Sequence, residues 1–273
     1  MSYGNQFKAH TQLKLSPFFE RTSRLNESQE WRRWSGYLAA TNYELTHENE
    51  YFAIRTKAAL LDITPLYKYI IEGPDAQRFL DRMVTRNIGI CRVGQVMYTP
   101  WCDEDGKQID DGTIQRLSDQ KFRITSAEPN LEWIEYNAAG MDLSIWDDSY
   151  TTAALAIQGP NSRTILNAVT SDSLNNLNFF WMMETRFGDI PISISRTGYT
   201  GDLGYEIWMD PKDALSVWDL LMDMGKPFGI TPTGLQALDM ARIEAGLILL
   251  DVDYISSRHA IVESRKSSPY ELG

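Results

Sequence analysis

Ile71-Glu72-Gly73-Pro74-Asp75-Ala76-Gln77-Arg78-Phe79-Leu80 is echoed later in the chain by Ile157-Gln158-Gly159-Pro160-Asn161-Ser162-Arg163-Thr164-Ile165-Leu166. In each copy an apolar, strand-like run (Tyr67 to Ile71; Ala153 to Ile157) ends at Gly-Pro. Proline is expected in the first turn of the helix that follows, where its missing N–H costs nothing. Asp75 and Asn161 supply acceptors in that turn, and Phe79, Leu80 and Met83, or Ile165 and Leu166, fall on one helical face. Copies this far apart are not repeats of a solenoid, whose period is shorter. They read either as two α+β subdomains of related build or as one common strand–turn–helix junction that arose twice.

Between the copies lies a meander. Val96 to Trp101 and Thr113 to Leu117 read as strands around the polar turn Asp103-Glu104-Asp105-Gly106-Lys107. Phe122 to Ser126 reads as a third strand and Asn130 to Ala138 as a helix. Beyond the second copy, a helix opening at Asp210-Pro211 presents Leu215, Trp218, Leu221 and Met222 on one face, and another runs from about Thr233 to Leu247. The first thirty residues are polar and weakly patterned, so an arm with a frayed start is expected there.

Two stretches carry candidate chemistry. Ser195-Arg196-Thr197-Gly198-Tyr199-Thr200-Gly201-Asp202-Leu203-Gly204-Tyr205-Glu206-Ile207-Trp208 places three glycines between two strand-like runs, a hairpin with a long loop. Its fold-back brings Tyr199 toward Glu206. A carboxylate beside a phenol suits a heteroaromatic edge with two adjacent donors, because its two oxygens accept both. The same pattern also suits a solvated hairpin tip. The second stretch is Gly106-Lys107-Gln108-Ile109-Asp110-Asp111-Gly112. Adjacent aspartates point in different directions, so one can serve a turn while the other orients, deprotonates or electrostatically stabilises an amine. Asp-Asp-Gly is equally an ordinary turn.

The bulk composition narrows the class. The 273 residues are 43% hydrophobic and 11% aromatic, which describes a globular chain of one large or two modest domains. A net charge of −11 argues against a nucleic-acid partner or an anionic membrane surface. The start has no apolar signal region and no stretch is long enough to span a bilayer, so a cytoplasmic location is expected. Cys91 and Cys102 give no disulfide framework, and His10, His47 and His259 lack ligand spacing, so no metal is expected.

Taken in order, several blocks resemble the aminomethyltransferase (glycine-cleavage T-protein) superfamily. They are Gly73-Pro74-Asp75, Gly94-Gln95-Val96-Met97-Tyr98, Asp103 to Gly106 with Ile109-Asp110-Asp111, Gln158-Gly159-Pro160, Arg196-Thr197-Gly198-Tyr199-Thr200-Gly201 with Glu206, and Gly234-Leu235 through Ala241-Arg242-Ile243-Glu244-Ala245-Gly246. The match is collinear from roughly Tyr51 to Asp253. The superfamily also holds tetrahydrofolate-dependent demethylases and the folate-binding domains of dimethylglycine and sarcosine dehydrogenases.

The resemblance implies an α+β fold in which two related subdomains surround a central folate opening, followed by a β-barrel domain that this chain apparently lacks. On that basis 1–60 is an arm and part of the first folate-binding subdomain, 61–150 the second subdomain, 151–250 the remainder of the first, and 251–273 a linker. It implies tetrahydrofolate as cofactor, a small-molecule substrate, and a lipoylated carrier protein as a further partner. Asp111 corresponds to the catalytic aspartate beside N5 of tetrahydrofolate. Glu206 corresponds to the carboxylate at the pterin edge, with Tyr199, Tyr98 and Thr125 as further cofactor-binding positions. The implied activity moves a one-carbon unit from an amine-type donor to tetrahydrofolate. The alternatives are folate-dependent demethylation of a methylated sulfonium, amine or ether, and a non-catalytic folate-binding module.

Departures from the family pattern fall on the donor side. The Gly-Leu-Gly-Ala-Arg-Asp block reads Gly234-Leu235-Gln236-Ala237-Leu238-Asp239, so an arginine becomes Leu238. Asp-Val-Ser-His reads Asp62-Ile63-Thr64-Pro65, a tyrosine becomes Gln115, and the pterin-side asparagine becomes Thr125. An uncharged side chain cannot replace a bidentate guanidinium. The donor pocket is therefore expected to be less cationic and more apolar, unless Arg242, one turn on, takes over the arginine's place.

Overall fold

The computed structural model describes residues 13–273. The frayed start expected at the N-terminus lies largely outside the described residues, but the rest of the supposed arm is structured. Phe19–Leu25 is a helix, and Trp31–Trp34 pairs antiparallel with Tyr37–Ala40. Phe18 is fully buried, its ring 5.9 Å from that of Trp218. The buried Phe18 ring and the ion pair of Arg21 with Asp219 (2.8 Å) anchor the segment to the first unit.

The chain forms two compact α+β units. The first takes residues up to Pro65, Thr151–Asn176 and Glu184–Ala245. Its six-stranded sheet runs in the order Met182–Phe187, Ile190–Ser195, Gly204–Met209, Ala153–Gln158, Ala58–Asp62, Ile230–Pro232. The last two strands pair in parallel, whereas Ala153–Gln158 lies antiparallel to both of its neighbours. Leu60, Leu155, Ile157, Tyr205 and Ile207 are fully buried, as large apolar side chains on a covered sheet should be. Helix Ser162–Val169 packs on Ala214–Gly225, and Glu48–Thr56 on Leu235–Glu244.

The second unit takes Leu66–Tyr150, Leu177–Met183 and Gly246–Gly273. Its five strands are all antiparallel, in the order Val96–Cys102, Gln108–Ser118, Lys121–Ser126, Tyr67–Glu72, Ser144–Asp147. Tyr69, Ile71, Phe79, Leu80, Trp101, Ile114, Phe122 and Ile124 make its core. The stretch expected as a linker is part of this unit. The Ser257 N–H donates to Gln108 O (2.9 Å), and the Gln108 N–H donates to Ser267 O (2.7 Å).

The echoed junction takes the same form in both units, with one correction. Pro74 and Pro160 stand in the turn before the caps Asp75 and Asn161 of helices Ala76–Met83 and Ser162–Val169, not in the first helical turn. The glycine ahead of each proline has positive φ, +149° at Gly73 and +116° at Gly159. A Cβ on Gly73 would lie 2.6 Å from Asp142 O, and one on Gly159 would lie 2.7 Å from Lys57 O. Both chain reversals therefore run hard against a neighbouring backbone. Among the described residues no helix is long and apolar enough to cross a membrane.

Candidate functional site

In the second unit the Asp110-Asp111-Gly112 triplet sits inside the strand Gln108–Ser118, not in a turn. The turn is the preceding Asp103–Lys107 segment, where Asp103 Oδ1 accepts the N–H of Asp105 (3.1 Å) and of Lys107 (2.9 Å). Strand alternation sends the two aspartates to opposite faces. Asp110 is fully buried and accepts from Asp111 N (2.7 Å), Glu128 N (3.1 Å) and Asn130 Nδ2 (2.7 Å). Burial, reinforced by the charge of Asp111, pushes its carboxyl up to about 7, against those three donors.

Asp111 is half-buried on the other face. The Tyr98 hydroxyl donates to Oδ2 (3.0 Å) and the Tyr254 hydroxyl donates to Oδ1. Burial raises the Asp111 pKa, and the two phenols oppose that rise. A carboxylate carried between two phenols is fixed in direction, and its raised pKa makes it more basic than an exposed aspartate. Tyr254 lies in the stretch read as linker, and the sequence reading missed it.

The polar face continues along the sheet. Register places Tyr98 opposite Thr113, and the Thr113 and Thr125 hydroxyls are 2.7 Å apart. Thr125 Oγ1 also accepts the Thr113 N–H at 3.2 Å, so the Thr125 hydroxyl is engaged in joining two strands. Gly112 makes room for this contact, because a Cβ there would fall 1.9 Å from Thr125 O. Gln115 is fully buried; its Oε1 accepts from Arg123 (3.2 Å), while its Nε2 finds no partner. Lys68, read only as part of an apolar strand, is fully buried opposite Thr125 and donates to Leu66 O (2.7 Å).

In the first unit Ile190–Ser195 and Gly204–Met209 form the expected hairpin, with Glu206 directly opposite Ser195. Thr197 Oγ1 donates to Glu206 Oε2 at 2.7 Å, Ser195 Oγ lies 2.7 Å from Thr197 Oγ1, and Trp208 Nε1 donates to Ser195 Oγ at 3.3 Å. Both hydroxyls, Thr197 and Ser195, thus serve the Glu206 carboxylate. Glu206 is half-buried. Burial raises its pKa, and the two hydroxyls pull it back.

Gln158 organises the loop. Its Nε2 donates to Thr197 O (3.4 Å) and Tyr205 O (3.5 Å), and its Oε1 accepts from Thr200 Oγ1 (2.9 Å). A Cβ on Gly198 or Gly204 would lie 2.2 or 2.0 Å from that Oε1, so both glycines are there for Gln158. Tyr199 is half-buried in the same loop. Leu238 is half-buried on helix Leu235–Glu244. Arg242, considered as a stand-in for the absent arginine, is 2% exposed and its Nε donates to Asp239 Oδ1 (2.7 Å). Glu50, a fully buried carboxylate that sequence pattern could not flag, accepts from Tyr43 N (2.6 Å), Glu44 N (3.0 Å) and Gly234 N (2.7 Å).

Residues 18–263 match the family described as the GCVT N-terminal domain. The chain belongs to that family. It is 37% identical over 272 residues to the trimethylamine-oxide aldolase of Ruegeria pomeroyi, covering 95% of this chain and 33% of that protein. It is 34% identical over 254 residues to the aminomethyltransferase of Halothermothrix orenii, covering 91% of this chain and 70% of that protein. Among solved structures, the glycine cleavage system aminomethyltransferase T of Bartonella henselae matches with a TM-score of 0.79 at 26% identity, over 88% of this chain and 65% of that one. This GCVT chain thus spans between a third and about two thirds of the length of these relatives.

Proposed function

We propose that this chain is the folate-binding part of a tetrahydrofolate-dependent one-carbon transferase that accepts its carbon from an amine-type donor. The observation that carries the reading is the Asp111 carboxylate held by the hydroxyls of Tyr98 and Tyr254. Such a group is directed, half-desolvated and raised in pKa, which are the requirements for work beside an amine.

The side chains present fit a reduced folate. Glu206 offers a half-buried carboxylate with one oxygen already fixed by Thr197, and two adjacent N–H donors on a pterin edge would compensate its desolvation. Tetrahydrofolate, when bound, supplies the secondary amine that takes up the carbon. Asp111 accepts the proton which that amine loses, and its two phenols hold the carboxylate still while it does so. Tyr199, in the Gln158-organised loop of the unit that holds Glu206, adds an aromatic face against which a flat ring can lie.

A second reading, demethylation of a small methylated amine, is favoured by Leu238 standing where the resemblance places an arginine. A relative named for trimethylamine oxide supports the same reading. The test is incubation of this chain with tetrahydrofolate and either a lipoyl-bound aminomethyl donor or a methylated amine, with one-carbon-loaded folate followed by mass spectrometry. Loading from either donor sustains the transferase reading. Loading from neither, despite measurable folate binding, leaves a folate-binding module.

A further inference from the structure

In the second unit, residues 246–273 form a strap with little regular structure that completes a sheet edge. Lys121–Ser126 pairs with Gln108–Ser118 between Ile114 and Ser118, which leaves the same edge open at Gln108. The strap takes that place, since the Ser257 N–H donates to Gln108 O and the Gln108 N–H to Ser267 O. A segment lying along a strand's edge can reach both faces of the sheet. This one does so with two side chains four residues apart, Tyr254 and Arg258.

On one face the Tyr254 hydroxyl meets the Asp111 carboxylate. Tyr254 is 4% exposed and leaves a tight turn, in which the Asp251 N–H donates to Tyr254 O (2.7 Å) and the Leu249 N–H to Asp253 Oδ2 (2.8 Å). On the other face Arg258 Nη2 donates to Asn130 Oδ1 (2.9 Å) and Pro129 O (3.3 Å). Asn130 is fully buried and its Nδ2 donates to Asp110 Oδ2 (2.7 Å), while Asp110 Oδ1 accepts the Asp111 N–H (2.7 Å). Residue 111 is thus tied to the strap twice. Its side chain is held directly through Tyr254, and its backbone through Asp110, Asn130 and Arg258.

A hydrogen bond weakens steeply when its donor swings out of line. Edge pairing alone leaves the strap free to tilt about the strand, and a contact on each face removes that freedom. The ion pair of Lys107 with the exposed Glu271 (3.5 Å) adds little. Arg258 is itself exposed, so its contribution comes from the guanidinium tip, a charge-assisted donor on a buried oxygen. We propose that Arg258 is a positioning residue for Asp111: its grip on Asn130 from the back of the sheet latches the strap where the Tyr254 hydroxyl reaches the Asp111 carboxylate. The proposal deepens the one-carbon reading and rests on it only for the consequence in turnover.

The experiment is a carbon-13 titration of the aspartate carboxyls in the whole chain, with the Asp111 resonance assigned by its loss in Asp111→Asn. Tyr254 donates to the ionised carboxylate, so losing that bond raises the Asp111 midpoint, while Tyr98 keeps its own bond throughout. Arg258→Met retains the stem and removes the donors and the charge. The Asp111 midpoint is expected to rise in Arg258→Met and in Tyr254→Phe, and to rise no further in the double variant than in Tyr254→Phe alone. Arg258→Lys, which keeps the charge and a donor, should titrate close to the wild type. A midpoint unmoved in Arg258→Met makes Arg258 a surface residue of the strap. A rise as large in the Tyr254→Phe background as in the wild type makes it a distant charge. Either result overturns the proposal. In single turnovers Arg258→Met should be slower by up to about tenfold, with folate affinity within a few-fold and no further loss in the Tyr254→Phe background. Coupled midpoints without one-carbon transfer from any donor remove the one-carbon reading alone. Transfer with an unmoved Asp111 midpoint removes the positioning role alone.

Discussion

The Tyr254 hydroxyl donates to the Asp111 carboxylate from 143 residues further along the chain. With Tyr98 on the other oxygen, each carboxylate oxygen has one donor within one unit, and the carboxylate's direction does not depend on a ligand. Asp111→Asn is therefore expected to leave tetrahydrofolate affinity within a few-fold and to lower turnover by roughly 10²–10⁴. Tyr254→Phe should lower turnover by a smaller factor, about tenfold, through loss of orientation. Single-turnover rates beside calorimetric affinities check both, and equal losses in rate and affinity would make Asp111 a binding residue.

Glu206→Gln should weaken tetrahydrofolate by about tenfold or more, because a charge-assisted pair worth roughly 1.5–3 kcal/mol is lost. The melting temperature should hardly change. Wild-type affinity in the variant would remove Glu206 from the site.

Thr197→Val removes the hydroxyl that stabilises the ionised form of Glu206, so the Glu206 pKa should rise further. Folate binding that needs the carboxylate is lost as pH falls through that pKa. The acid midpoint of binding should consequently move upward. Affinity measured across pH reads this directly, and an unmoved midpoint contradicts the role given to Thr197.

Asp110 is expected to keep its proton up to about pH 7. A carboxyl whose folded pKa lies above its unfolded value favours the folded state most at low pH, so this contribution is lost as pH rises from about 4 to 7. Denaturation midpoints across that window should fall less steeply in Asp110→Asn than in the wild type. A carboxyl carbon resonance titrating below 5 would refute the assignment.

Gly112→Ala must place a methyl 1.9 Å from Thr125 O, and backbone cannot yield cheaply, so a loss of about 3 kcal/mol or more is expected. Gly106→Ala meets nothing within 4 Å and bears only its positive φ of +72°, about 1 kcal/mol. Chemical denaturation of the pair checks the ranking, and similar losses would show that the strands part easily at Gly112.

What was legible in the sequence was local. Alternation around Ile190–Ser195 and Gly204–Met209 marks the hairpin, and the repeated Gly-Pro marks two junctions, because each signal is carried by residues near one another in sequence. Asp110-Asp111-Gly112 misled for a physical reason. Its glycine looks like turn punctuation, but it serves the close approach of the Thr125 carbonyl inside a sheet. Phe18 hid because a single buried ring can anchor an otherwise polar segment. Tyr254 was invisible because its partner lies 143 residues back in the chain, with most of the intervening residues belonging to the first unit. Glu50 and Lys68 were invisible because charge patterning marks residues as solvated, and only the folded backbone supplies the partners that let them be buried.

The packing of Gln158 against Gly198 and Gly204 bears on how this family can be recombined. A loop excised at Ser195 and Gly204 is not a portable cassette, since two of its glycines are shaped to a side chain supplied from another strand. A graft between relatives that carries the loop but replaces Gln158 with a larger residue should collide at both glycines. One that substitutes a smaller residue should leave the carbonyls of Thr197 and Tyr205 without their shared donor. Position 158 and the loop therefore travel together, as one exchangeable module in two pieces of sequence.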